Sequence, residues 1–234
     1  MSDPTGDGPG DTAPDGSAVE LYARLPPGSD PELLHSRMPP GANILDLGAG
    51  TGRLADPLVD LGHPVLAVDA SPTMLARVRS AATLTSSIQD LHLPQRFDAV
   101  LLASHLINSP TKDLRRDLLS SVERHLLGTG QAFIEWHPPS WFDALDPERS
   151  YTGTIGDFTT TLEIHSLAQG LLHATVAYQD HRTDQTASTW RHTFTAQRLT
   201  RELLQAEADA VGLTIGHALP GAEHWLIASP RPGT

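Results

Sequence analysis

The 234-residue chain contains no cysteine, which excludes disulfides and any thiol nucleophile. Lysine is nearly absent, with Lys112 alone against fifteen arginines. A phosphate-binding loop ending in Gly-Lys-Ser/Thr therefore cannot be built. Basic residues are scarce altogether, 16 against 28 acidic ones, for a formal net charge of −12. That balance argues against nucleic-acid backbones and anionic membranes as partners. No run approaches the roughly 18 apolar residues of a transmembrane helix. The opening stretch MSDPTGDGPGDTAPDGS is acidic and rich in glycine and proline. It has neither the apolar segment of a secretory signal nor the basic amphipathic pattern of a transit peptide. It is expected to be a disordered tail through residue 16, on a protein working in the cytoplasm.

What is present is concentrated in ILDLGAGTGRL, Ile44 to Leu54. A short apolar run carries one acid, Asp46, and leads into glycines at alternate positions, Gly48, Gly50 and Gly52. Such spacing lets backbone amides approach a ligand closely and turn into a helix N-terminus. Seventeen residues beyond Gly52 a second apolar run, VLAV, ends in Asp69. Strand, glycine loop, helix, strand and terminal acid make a nucleoside-binding βαβ half, with the final acid placed to accept ribose hydroxyls. A dinucleotide fingerprint would need a third glycine where Arg53 stands, and pyrophosphate has no use for Asp46 two residues before the first glycine. The loop instead suits a ligand with a cationic group and no phosphate, a description that S-adenosylmethionine meets.

Four segments in order, DLGAGTG (46–52), VDASPTML (68–75), QDL (89–91) and FDAVLLASHLIN (97–108), resemble the class I S-adenosylmethionine-dependent methyltransferases. The resemblance implies a Rossmann-like α/β fold: a seven-stranded, mostly parallel sheet with helices on both faces. The absence of cysteine removes the thiol-dependent route to pyrimidine C5 methylation, and ASHLIN after strand four lacks the Asp/Asn-Pro-Pro-aromatic motif of enzymes that methylate planar amino groups of bases. The implied activity is methyl transfer to an oxygen or nitrogen of a small molecule, in specialised metabolism. The alternative is an S-adenosylmethionine-binding protein of the same fold that methylates carbon, or that catalyses or regulates another reaction.

Residues 17–234 are expected to form a single methyltransferase domain. Helical candidates at 18–25 and 31–37 precede strand one at 43–47, a helix at 52–61 and strand two at 64–69. Ser71-Pro72 is a helix start signal, strand three is near 84–88, and strand four is 97–104. A helix over 113–127 is stopped by Gly128, and strand five is 131–137. Three threonine-rich alternating segments follow, about 153–166, 170–180 and 187–196, with turns at 168–170 and 180–185. They predict an antiparallel insert, 138–196, between strand five and the last helix at 196–212, ahead of two final strands. The insert is expected either to cover the acceptor or to extend the sheet; a homodimer contact there is open.

By the resemblance, backbone at Gly48, Ala49 and Gly50 faces the methionine part of the cofactor and Asp46 holds its ammonium. Asp69 takes the ribose, Ala70 and Met74 flank the adenine, and Asp90 with the amide of Leu91 reads its edge. Tyr22 and Ser104 complete the cofactor set. No metal is expected, because acids and histidines lack a ligand spacing. Methyl transfer from a sulfonium needs alignment first and a base only if the acceptor must lose a proton. Candidate bases stand at the carboxyl ends of strands four and five: His105, and His137 with Glu135 two residues before it on the same strand face. Acceptor-lining candidates are Trp141, Tyr178, Trp190 and His192, with His181 beside them, of which alternation lets only about half face inward.

Overall fold

The run Ile44–Leu47 is buried along its whole length, so both faces of that strand need cover, the condition of a parallel strand inside a doubly wound sheet. The computed structural model describes residues 5–180, 182 and 188–231. In chain order the elements are β1 (Thr5–Asp7), α1 (Val19–Tyr22), α2 (Asp30–His35), β2 (Ile44–Leu47), α3 (Ala55–Asp60), β3 (Val65–Asp69), α4 (Pro72–Leu75), β4 (Ala82–Thr85) and β5 (Phe97–Leu102). A short 3₁₀ turn, Leu106–Asn108, leads to α5 (Lys112–His125), β6 (Leu126–Glu135) and α6 (Pro139–Asp143). The chain continues through β7 (Ser150–Ile155), β8 (Phe158–Ala168), β9 (Leu171–Asp180), β10 (Thr189–Gln197), α7 (Arg201–Asp209), β11 (Leu213–Leu219) and β12 (Ala222–Pro230).

Seven strands form one sheet in the order β11-β12-β6-β5-β2-β3-β4. The pairings β2–β3, β2–β5, β3–β4 and β5–β6 are parallel, while β11–β12 and β12–β6 are antiparallel. The sheet is therefore mixed, with its parallel part at the centre. Strand alternation sends Ile44 into a core shared with Leu34, Leu54 and Leu58, and Leu45 and Leu47 into a core shared with Leu118, Leu119, Val122 and Leu204. Helices α2 and α3 thus cover one face and α5 and α7 the other. Each such leucine contributes about 1.5–3 kcal/mol on full burial. The chain winds from β2 outward to β4, then returns to β5 on the other side of β2. That reversal opens a crevice at the carboxyl ends of β2 and β5, where doubly wound sheets bind ligands.

The insert folds as a second, wholly antiparallel sheet, β1-β10-β9-β8-β7. It holds four strands of the insert where the sequence predicts three, because a turn at Gly156-Asp157 divides the first segment into β7 and β8. Two helix expectations also shift. Gly128 stops nothing: α5 ends at His125 and passes directly into β6 at Leu126. The helix opened by Ser71, whose side chain accepts from the Met74 amide, is a single turn.

The fifth strand of that sheet corrects the reading of the N-terminus as a disordered tail. Thr5–Asp7 pairs with Thr193–Arg191 of β10, and the Trp190 indole donates to the Pro9 carbonyl at 2.9 Å. Glycine here serves close packing: a Cβ on Gly6 would lie 1.8 Å from the Gly16 carbonyl oxygen. The composition that signals disorder also permits this tight strap. Among the described residues no helix is long and apolar enough to cross a membrane.

One buried ion pair joins α5 to α7. Arg115 donates from Nε and Nη2 to both oxygens of Glu207 at 2.8 and 2.6 Å, with both side chains about 95% buried. Removing one partner strands a charge in the core. Arg115→Met is expected to lower stability by about 3–5 kcal/mol, and adding Glu207→Leu to recover most of it. Urea unfolding of the two variants measures this; equal losses in both would assign the effect to packing instead.

Candidate active site

The crevice floor is the glycine loop after β2. Gly48, Gly50 and Gly52 all have positive φ, at 73°, 56° and 82°, which alanine would reach only with strain. A Cβ at Gly48 would also meet Leu106 Cδ1 at 2.8 Å, whereas Gly50 faces open space. The loop is fastened to the end of β3: the Gly50 amide donates to Asp69 Oδ2 at 2.9 Å and the Ser71 amide to Oδ1 at 2.8 Å. Burial raises the Asp69 carboxyl despite those amides.

Asp46 is 1% exposed and its Oδ1 has no hydrogen-bond partner. Desolvation lifts its carboxyl to about 7; Arg53 opposes the rise while Asp69 and Glu135 add to it. A buried acceptor without a donor costs about 1–3 kcal/mol, so this oxygen is arranged for something not supplied by the chain. Beneath the loop Asp46, Gly48, Ala49, Arg53, Leu54, Ala103 and Ser104 enclose about 20 Å³, room for a single water. A larger hollow of about 430 Å³, lined by Arg37, Met38, Pro39, Asp98, Thr129 and Gln131, lies at the amino ends of β2 and β5, opposite the crevice.

The wall of the crevice is built where β5 and β6 end. Ser104 and His105 both take left-handed backbone, φ 56° and 54°. The Ser104 amide donates to Glu135 Oε2 at 2.6 Å, and His105 Nε2 lies 3.5 Å from Oε1. The His105 ring stacks on His137 at 3.6 Å, and His137 stacks on Trp141 at 3.9 Å. Burial is the main force on both imidazoles, pushing His105 down to about 3 and His137 to about 2. Both rings are therefore neutral across the physiological range. The Glu135 carboxylate meets Ser104 and His105 and not His137, which is the middle ring of a three-ring stack.

Residues 44–130 match the family model described as a methyltransferase domain. Over that stretch the chain is similar to the class I, Rossmann-like methyltransferases. An uncharacterized methyltransferase of Mycobacterium tuberculosis is 42% identical over 94 residues, 38% of this chain and 39% of that protein. The chain thus matches well under half the length of that relative. The N,N-dimethyltransferase of Streptomyces fradiae acting on dTDP-3-amino-3,6-dideoxy-alpha-D-glucopyranose is 29% identical over 214 residues, 82% of each chain. The crystal structure of a sugar N-methyltransferase from Streptoalloteichus superposes with a TM-score of 0.70 at 18% identity, covering 97% of each chain, a likeness of fold.

Against this family pattern, the remaining site residues divide. Ala70 and Asp90 are exposed beside the crevice, Asp90 accepting from the Ser87 hydroxyl at 2.7 Å, and Leu91 is buried. Met74 is 3% exposed and packs with Ala13, Val19 and Tyr22, so the N-terminal strap lies over α4. Burial raises the Tyr22 and Tyr178 phenols, each also touched by the field of Arg53. His192 on β10 is half-buried, its imidazole held down by burial. Trp190 is no acceptor contact: it is 3% exposed, bonded to Pro9 and set edge-on to Phe158. His181 lies outside the described residues.

Two site residues escaped the sequence reading. Arg53 figured only as the residue that breaks a fingerprint, although it directly follows Gly52 at the helix entry. Asn108, 2% exposed, staples three segments: it accepts from the His137 amide at 2.8 Å and donates to the His137 and Gln197 carbonyls at 3.3 and 3.0 Å. An asparagine in ASHLIN gives no local sign of such long-range partners.

The raised Asp46 pKa fixes the sign of a pH effect. Its folded value, about 7, exceeds that of an unfolded aspartate, about 3.9. Its contribution to stability is fully present below pH 4 and is lost as pH rises to about 7, at most about 1.4 kcal/mol per unit. Asp46→Asn is expected to raise the melting temperature of the ligand-free protein clearly at pH 8 and little at pH 4. A shift of the same size at both values would show that the carboxyl is not held protonated.

Proposed function

We propose that this chain uses S-adenosylmethionine to methylate an amine nitrogen of a small molecule in specialised metabolism, an amino sugar being the acceptor class most in keeping with its relatives. The orphaned Asp46 oxygen under a loop of exposed backbone amides carries the cofactor reading. It fits an ammonium donor, and Arg53 beside it fits the carboxylate of the same amino acid. Asp69 keeps unused lone pairs beyond its two amide partners for the ribose hydroxyls. Ala70 and Met74 flank the adenine, Asp90 and Leu91 read its edge, and Tyr22 closes the strap side.

When bound, the cofactor supplies a methyl group on a positive sulfur whose leaving form is a neutral thioether. The chain's task is alignment and exclusion of water. Ser104, pinned by Glu135, and the flat stack of His105, His137 and Trp141 form a wall against which a planar or ring-shaped acceptor is steered. Tyr178 and His192 of the insert are the further candidates to line the acceptor. A free amine attacks through its lone pair, forming the N–C bond as the S–C bond breaks, and its proton leaves afterwards to solvent. An alcohol would need a base during the step, and neither imidazole of the stack is basic enough. This supports nitrogen over oxygen as acceptor.

The test is release of S-adenosylhomocysteine with a panel of amino sugars and their hydroxyl isosteres. Release with amines alone is expected; equal turnover of hydroxyl isosteres overturns the nitrogen assignment, and cofactor binding without turnover of any amine overturns transfer itself. Asp69→Asn should weaken cofactor binding in calorimetry by about 1.5–3 kcal/mol, the scale of a charge-assisted hydrogen bond. His137→Phe keeps the stack and should stay within about tenfold of the wild-type rate. A fall of about two to four orders of magnitude would restore His137 as a general base.

A further inference from the structure

Asp30, Glu135 and His224 come from three separate elements, the start of α2, the end of β6 and β12. One donor atom from each lies within 4.8 Å of the others. His224 Nε2 stands 3.4 Å from Asp30 Oδ1. That is long for a charge-assisted hydrogen bond, normally about 2.7–2.9 Å. It equals the edge between two ligands of one tetrahedral ion with bonds of about 2.1 Å, roughly 3.4 Å, while the Glu135 oxygens stand within 4.8 Å but beyond ion-pair distance of His224 and would close in on the metal.

The donors are held in place by backbone. The Trp136 amide donates to the His224 carbonyl at 2.8 Å, and the Trp136 indole to the Glu223 carbonyl at 3.0 Å. Trp225 stands opposite Glu135 in the β12–β6 ladder, and the Ser104 amide fixes Glu135 Oε2. Side-chain exposure grades from 8% at Glu135 through 17% at Asp30 to 41% at His224, so the cluster opens to solvent on one side. Two carboxylates meet one imidazole, and a proton on that imidazole leaves a negative excess.

We propose that Asp30, Glu135 and His224 form a binding site for a divalent transition-metal ion, with zinc the best match to one imidazole and two carboxylates and a water in the fourth position. Glu135 also holds Ser104 and faces His105, so the ion braces the loop after β5 from behind. This assignment is independent of the proposed methyl transfer.

Chelator-stripped protein titrated with Co²⁺ alone tests it. A saturable visible d–d absorption at one equivalent is expected, displaced by Zn²⁺. His224→Ala and Asp30→Asn should each weaken binding by more than about tenfold, the cost of losing even an outer-shell partner. His165→Ala, in the imidazole pair His165–His173 on the insert, should leave it unchanged. Absence of stoichiometric binding, binding that survives both ligand variants, or loss in His165→Ala overturns the site. Should a variant unfold by circular dichroism, Mn²⁺ broadening of histidine resonances in the wild type decides: the His224 signal must broaden ahead of those of His165 and His173, and the reverse order overturns the proposal.

Discussion

A carboxylate buried at the end of a strand covered on both faces organises the working end of this molecule. Asp46 sits buried in β2, and one of its oxygens has no donor. Its neighbours are arranged around that unsolvated charge: Arg53 favours ionisation, while Asp69 and Glu135 oppose it. The same β2 marks the reversal of strand order, so the crevice and the charge occur at one place. Loop glycines with positive φ bring backbone amides to it, and the Asp69 carboxylate binds the loop to the neighbouring strand. A cationic ligand group would settle the only unmet acceptor on this floor, which links the electrostatics to the choice of cofactor.

Burial acts on the wall as it acts on the floor, with opposite sign for the charge type. Carboxyls are pushed up and imidazoles down, because a low-dielectric site resists either charge. The three stacked rings of His105, His137 and Trp141 therefore make a neutral, polarizable surface.

The cover is assembled from parts distant in sequence. Arg24 pairs with Asp180 at 2.5 Å and lies over the rings of Phe158 and Trp190, tying α1 to the insert. The strap of residues 5–18 adds a strand to the insert and packs Ala13 on Met74. Both the segment after α1 and the strap are thus fixed to the antiparallel sheet. Asn108 connects the same sheet to the end of β6.

By itself the sequence determined the α/β class, the glycine loop, the two acids at the ends of β2 and β3, and the presence of an antiparallel insert. These are legible because each rests on local rules: apolar runs of strand length, glycines where φ must be positive, period-two alternation. Tertiary structure alone decided the rest. The spacing of Glu135 and His137 places them on one strand face, but only the fold shows that Glu135 turns to Ser104 and His105 while His137 stacks. Trp190 reads as a pocket aromatic until the strap is seen to cover it, and the strap reads as disorder until β10 offers it an edge. Asp30 and His224 are 194 residues apart and carry no motif between them. Protonation, stacking and metal-ligand geometry depend on burial and on distances between elements, and no window of the sequence contains either.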